Sequence, residues 1–193
     1  MSHVSARNWR RRIIVSMAAV LATAALSAPA RAQEVISKEG AAVVKAAFLA
    51  DLEVMKGKFV SLGQAFPDDK MSWRPMEGVR SVAEVLSLAA SEFNGFVPNN
   101  FGGKPGASRE EMQALGKSTN KAELIAAINK AFEHTKAQLN SIDPATLTGK
   151  RAVMGQQRSV VETAQMIGGD LHEHLGQLIA YARMNKVVPP WSK

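Results

Sequence analysis

Val43, Val44, Ala47, Phe48, Leu52, Met55, Phe59 and Leu62 recur mostly at spacings of three and four. That is the period of a helix burying one face, and it predicts a helix from about Ser37 to Phe66. Ser37 is placed to cap its start, and Pro67 ends it. A loop with two prolines and a glycine follows, "PDDKMSWRPMEGVR". Ser81-Val82-Ala83-Glu84 then reads as a capping box, in which each end side chain accepts from the other residue's backbone N–H. Val82, Val85, Leu86, Ala89, Ala90 and Phe93 give this second helix its apolar face. Four glycines and two prolines in "GFVPNNFGGKPGAS" are expected to break it into an irregular loop.

A short helix fits Arg109 to Leu115, and a longer one about Asn120 to Ser141, with Leu124, Ile125, Ile128, Phe132 and Leu139 on its buried side. Within residues 143–158, "LTGKRAVMGQQ" allows a short extended excursion but carries no defensible strand pattern. The last helix starts near Ser159, where Glu162 completes a second capping box, and runs to about Asn185. Pro189 and Pro190 keep the tail out of any helix. Four long amphipathic helices in some 160 residues are best satisfied by an all-α four-helix bundle.

The amino terminus follows a different pattern. "RNWRRR" is a basic segment, an apolar and small-residue run succeeds it, and Ala30-Arg31-Ala32 offers a small-x-small cleavage site. Residues 1–32 are therefore expected to be a signal peptide, cut before Gln33, with residues 33–193 forming the domain. The run is Ala- and Ser-rich and closed by Pro29 and Arg31, so no stable membrane anchor is expected after cleavage. A loose twin-arginine resemblance at Arg10-Arg11-Arg12 leaves the general secretory route as the expectation. The destination is periplasmic or secreted.

Export alters the meaning of the charge. The formal net charge is +7, but residues 1–32 contain five arginines and no acidic residue, so the remainder carries only +2. Nucleic-acid binding loses its electrostatic basis. The absence of cysteine excludes disulfides, thiolate ligands and a cysteine nucleophile, leaving stability to one core.

Two of the four histidines fall in "DLHEHLGQLIAYAR", from Asp170 to Arg183. His172 and His174 point about 160° apart on a helix, so they cannot share an ion. Asp170 and His174, at i and i+4, lie one above the other and can meet a single cation. They flank the stripe of Ile167, Leu171, Leu175, Leu178 and Ala182, on the side facing a neighbouring helix. A solvated Asp–His pair has the same spacing. His172 is expected at the surface or a helix interface, and His134, beside Glu133 and Lys136, on a solvated face.

"SWRPMEGVRSVAEVL", followed by an irregular loop, two helices and "HLGQLIAYARMNKVVPPW", resembles the DinB-like (DinB/YfiT-like) superfamily across essentially the whole domain. The marks are Trp73-Arg74-Pro75 with Gly78 and Ser81, Gly176-Gln177 two residues after a histidine, Arg183, and Pro189-Pro190. The resemblance implies a four-helix bundle holding a divalent metal, often nickel or zinc, on three histidines: one from the second helix and an i, i+4 pair from the last. It also implies an activity among thiol-dependent transferases, isomerases and hydrolases, although many members have none known.

Carried onto this chain, the last ligand position is His174 and the preceding one is Asp170, a carboxylate still able to hold zinc, nickel or iron. The second-helix histidine position holds Leu88, which cannot ligate. Glu92, one turn further on the same stripe, is the candidate replacement, although a lone glutamate is expected to face solvent. Metal binding is accordingly expected to be weak or absent. Trp73 and Trp191 are expected to cap the core, Gly176 to allow close helix approach, and Gln177 and Arg183 to tie loops down.

Two functions fit these residues. One is a metal-dependent hydrolase or transferase using Asp170, His174 and Glu92, acting on an unknown small molecule. The other is a non-catalytic bundle binding a small apolar ligand or a protein partner, with homodimerisation through its Met- and Val-bearing stripes. No catalytic residue is identified.

Overall fold

The computed structural model describes residues 35–192, so the expected cleavage site lies outside the described residues. Its helices are α1 (Lys38–Ala65), α2 (Val82–Ser91), α3 (Val97–Phe101), α4 (Arg109–Leu115), α5 (Lys121–Ser141) and α6 (Val160–Met184). A single π-helical segment, Glu92–Phe96, joins α2 to α3. α1 lies between α5 and α6, and α2 completes the circuit by packing on both. The result is the expected four-helix bundle. Phe59, Phe93, Phe132, Leu52, Leu86 and Leu124 are among the fully buried side chains at its centre. Phe93 meets Phe132 edge to face at 5.8 Å.

The caps are where the sequence puts them. The Ser37 side chain accepts from the Gly40 N–H at the start of α1. Reciprocal capping boxes open α2 at Ser81 and Glu84, α4 at Ser108 and Glu111, and α6 at Ser159 and Glu162. Ser81 is buried, so Ser81→Ala leaves the Glu84 N–H without its acceptor. We expect a loss of about 0.5–2 kcal/mol, read as a lower urea midpoint at unchanged slope. The N–H of Ser81 holds the Glu84 carboxyl below its ordinary value. The box therefore contributes fully above that ordinary value, and its contribution is lost as pH falls through the lowered one.

Two expectations are corrected. The second helix does not break at Gly95: helical backbone continues to Phe101, through the π segment. Pro98 explains the irregularity. It has no N–H, so it cannot serve the Phe93 carbonyl in π register or the Asn94 carbonyl in α register. Thr135 Oγ1 on α5 donates to Phe93 O, and the Gly106 N–H donates to Asn94 O at 3.2 Å. With both carbonyls satisfied from outside, the helix passes a proline that sequence alone reads as a stop. It ends instead at Gly102, whose φ of 92° is the left-handed conformation suited to glycine.

The second correction concerns residues 143–158. Arg151–Val153 pairs antiparallel with Gln156–Arg158. Met154 and Gly155 join the strands with φ of 48° and 75°, and positive φ at both central residues is what a two-residue hairpin requires. Methionine in the first of these positions hides the turn, because asparagine or aspartate is the usual signal there.

Candidate metal centre

α6 delivers two of the three candidate ligands. Its i, i+4 geometry places Asp170 Oδ1 3.8 Å from His174 Nε2. The third comes from the junction between α2 and the π segment: Glu92 Oε1 lies 3.1 Å from His174 Nε2. Glu92 is only 6% exposed, which overturns the expectation that it faces solvent. Ligand atoms of Glu92, Asp170 and His174 all fall within 4.8 Å of one another, and they are the only such group of three among the described residues. Ligands at about 2.1 Å from one ion stand at most about 4.2 Å apart, so a small side-chain adjustment gathers all three.

The electrostatics of the three groups are tightly linked. Glu92 Oε2 is buried and has no hydrogen-bond partner among the described residues. Burial pushes the Glu92 carboxyl up from 4.5 to about 8; the Asp170 carboxylate adds to the rise and Arg80 opposes it. A buried carboxylate facing a second carboxylate is unfavourable unless positive charge is brought to it. The donor set of two carboxylates and one imidazole suits zinc, nickel or iron(II).

Leu88, which stands at the position where the resemblance puts a histidine, is half-buried and lines an open groove of about 720 Å³ whose wall includes none of the three candidate ligands. Gln177, one turn beyond His174, lines the same groove and donates to the Tyr181 hydroxyl at 2.7 Å. It braces Tyr181 rather than a loop, and Trp73 packs edge-on against that ring at 5.3 Å.

The sequence model of the DinB superfamily matches residues 51–178, a span that contains all three candidate ligands. The chain belongs to the DinB superfamily. No curated protein and no solved structure matches it. One turn after Leu88, at the end of α2, the buried Glu92 carboxyl faces His174.

The remaining marks divide. His172 Nε2 lies 3.1 and 3.2 Å from the two oxygens of Asp51, an exposed pair on the far flank of α6 and apart from the centre. His134 is half-buried and bonds the Lys104 carbonyl at 2.7 Å. Trp73 packs against the core as expected, whereas Trp191 is 38% exposed beneath the Lys58 ammonium. Gly176 is exposed, and a Cβ there would meet nothing within 4 Å, so it does not serve close helix approach. Arg183 is exposed and makes no hydrogen bond among the described residues, so it ties down no loop. Arg80 and Ser87 in the groove wall went unnoticed in the sequence. Pro98 inside an otherwise apolar helical run was the one signal of the π segment.

Proposed function

We propose that this protein is a divalent-metal-dependent hydrolase or transferase whose ion is held by Glu92, Asp170 and His174. The supporting observation is the buried Glu92 carboxyl, which has an unpartnered oxygen and faces both α6 ligands. A divalent ion there would supply Lewis acidity and an activated water at neutral pH. The chain's own contribution is positional. α6 fixes Asp170 and His174 one turn apart, and the π segment carries Glu92.

Elemental analysis of protein purified without a metal-affinity tag tests this reading. About one zinc, nickel or iron per chain, lost in Asp170→Ala and His174→Ala, is the expected result. Metal-free protein whose stability ignores both chelator and added metal would sink it. Leu88→His places an imidazole one turn before Glu92 and is expected to raise affinity by about tenfold or more, as a further ligand should. Competition with a chromogenic chelator reads that change.

A cavity of about 400 Å³ between α4 and α5, walled by Ala107, Leu115, Ala127 and Ala131, favours a second reading as a binder of small apolar ligands. A protein that binds no metal, but whose melting temperature rises with a short-chain hydrocarbon, would match it. Export is part of the same proposal, supported by the basic, apolar and Ala-Arg-Ala order of residues 1–32. Protein recovered from the secreting host is expected to begin at Gln33 by mass spectrometry.

A further inference from the structure

The cavity between α4 and α5 has a shape and a charge pattern that a merely apolar occupant leaves unused. On α5 it is lined by Glu123, Ala127, Lys130, Ala131 and His134, one helix face over three turns. At 1.5 Å per residue those turns extend about 16 Å, so the volume of about 400 Å³ averages about 25 Å² in cross-section. A trough of that width accommodates one hydrocarbon chain and is too narrow for a caged ring. Its apolar wall is built of short side chains, Ala107, Ala127 and Ala131, and Leu115 closes it from α4, so nothing bulky interrupts its length.

Two carboxylates and one ammonium line the trough, and only the ammonium is uncommitted. Glu111 accepts from the Ser108 N–H at 2.7 Å, and Glu123 accepts from the Ser118 hydroxyl. Both stand in the first turn of a helix, where the backbone favours negative charge. Lys130, in the middle of α5, makes neither hydrogen bond nor ion pair among the described residues. It is exposed, so its ammonium lies in water at the mouth while its stem borders the apolar wall. His134, one turn further, is already bonded to the Lys104 carbonyl. From Lys130 to Glu123 the helix rises about 10 Å, which an eight-carbon chain fills.

We propose that the trough binds a single-chain fatty acid: the alkyl tail lies along Ala127, Ala131 and Leu115, and the carboxylate stays at the mouth beside Lys130. A straight amphiphile with an anionic head uses both the narrow apolar length and the unpaired cation. The inference deepens the apolar-ligand reading and rests on it. It is independent of the metal centre, because Glu92, Asp170 and His174 do not line the trough.

Octanoate, octan-1-ol and adamantane-1-carboxylate separate the head from the tail, with affinities for the intact protein measured by calorimetry. Octanoate is expected to bind about threefold tighter than octanol, within the range of an exposed ion pair. The caged acid should bind about tenfold weaker than octanoate or worse, as an overfilled apolar site requires. Lys130→Met, which keeps the stem, should bring the octanoate-to-octanol ratio close to one, and Lys130→Glu should invert it. Ala127→Leu fills the trough and should abolish binding of both chains while the melting temperature of the free protein holds. If octanoate and octanol bind equally, or if the preference survives Lys130→Met, the anionic head is wrong and the apolar-ligand reading stands. A caged acid that binds as well as octanoate overturns the straight chain, and binding that survives Ala127→Leu places the ligand elsewhere. If neither chain binds, the apolar-ligand reading fails and the fatty acid fails with it.

Discussion

Glu92→Ala is expected to abolish metal retention, lowering affinity by at least about 100-fold, because even outer-shell partners of ligands are worth about 10–100-fold. The effect is large because Glu92 supplies the only candidate ligand from outside α6 among the described residues. Asp170 and His174 would remain as a two-point site on one helix face, open to solvent and unable to close around an ion. Titration with zinc against a competing chelator reads the loss, and retention of stoichiometric metal would remove Glu92 from the centre.

Stability gives an independent check through the same residue. In metal-free protein the folded state holds the Glu92 proton up to about pH 8, whereas the unfolded chain releases it near 4.5. Between those values the native state binds more protons, so stability is fully present below about 4.5 and declines as pH rises toward 8. Glu92→Gln, with no proton to lose, should not show this decline. At pH 9 it should exceed metal-free wild type by a few kcal/mol, on the order of the cost of charging a buried carboxyl. Urea unfolding of both proteins at pH 5 and pH 9 in the presence of chelator measures the difference. Saturating metal should reverse the order, because the ion binds the carboxylate and stabilises only the wild type.

Thr135→Val carries the other large effect, on the fold and the centre together. Valine matches threonine in shape but cannot donate to Phe93 O, and Pro98 offers no N–H in its place. The Phe93 carbonyl then sits unpaired in a buried position, at a cost of about 1–3 kcal/mol. Thr135 is fully buried, so water cannot replace the bond without entering the core. Phe93 directly follows Glu92, and a loosened π segment should also reduce metal affinity, by about tenfold if it acts as other supporting contacts do. Thr135→Ser, which restores the hydroxyl, should recover the metal affinity while losing only the packing of one methyl. If the valine variant keeps full affinity, Thr135 braces the helix alone.

These experiments follow a division visible in particular residues. Helix starts were legible because capping is local: Ser81 with Glu84, and Ser159 with Glu162, contain their own hydrogen-bond partners within four positions. The apolar stripes of α1, α5 and α6 were legible because period alone reveals a buried face. Asp170 with His174 was legible for the same reason, since i and i+4 on one helix need no tertiary information. The hairpin at Met154 and Gly155 was not, because its first turn residue lacks the usual chemistry. Nor was the course of the second helix, where Pro98 signalled a stop and a threonine 37 positions along the chain removed the reason for one.

The sequence by itself therefore determined a four-helix bundle of the DinB superfamily, its caps, and the two ligands that share α6. Tertiary structure alone decided that the Glu92 carboxyl is buried beside His174. Glu92 has no local reason to be buried, and a glutamate without a partner ordinarily stays in water. It is buried because α2 runs on through a π turn against α5, which aims its carboxylate across the cleft at His174. The stripe shared with Leu88 nominates Glu92, and contacts between helices distant in sequence fix its burial and direction.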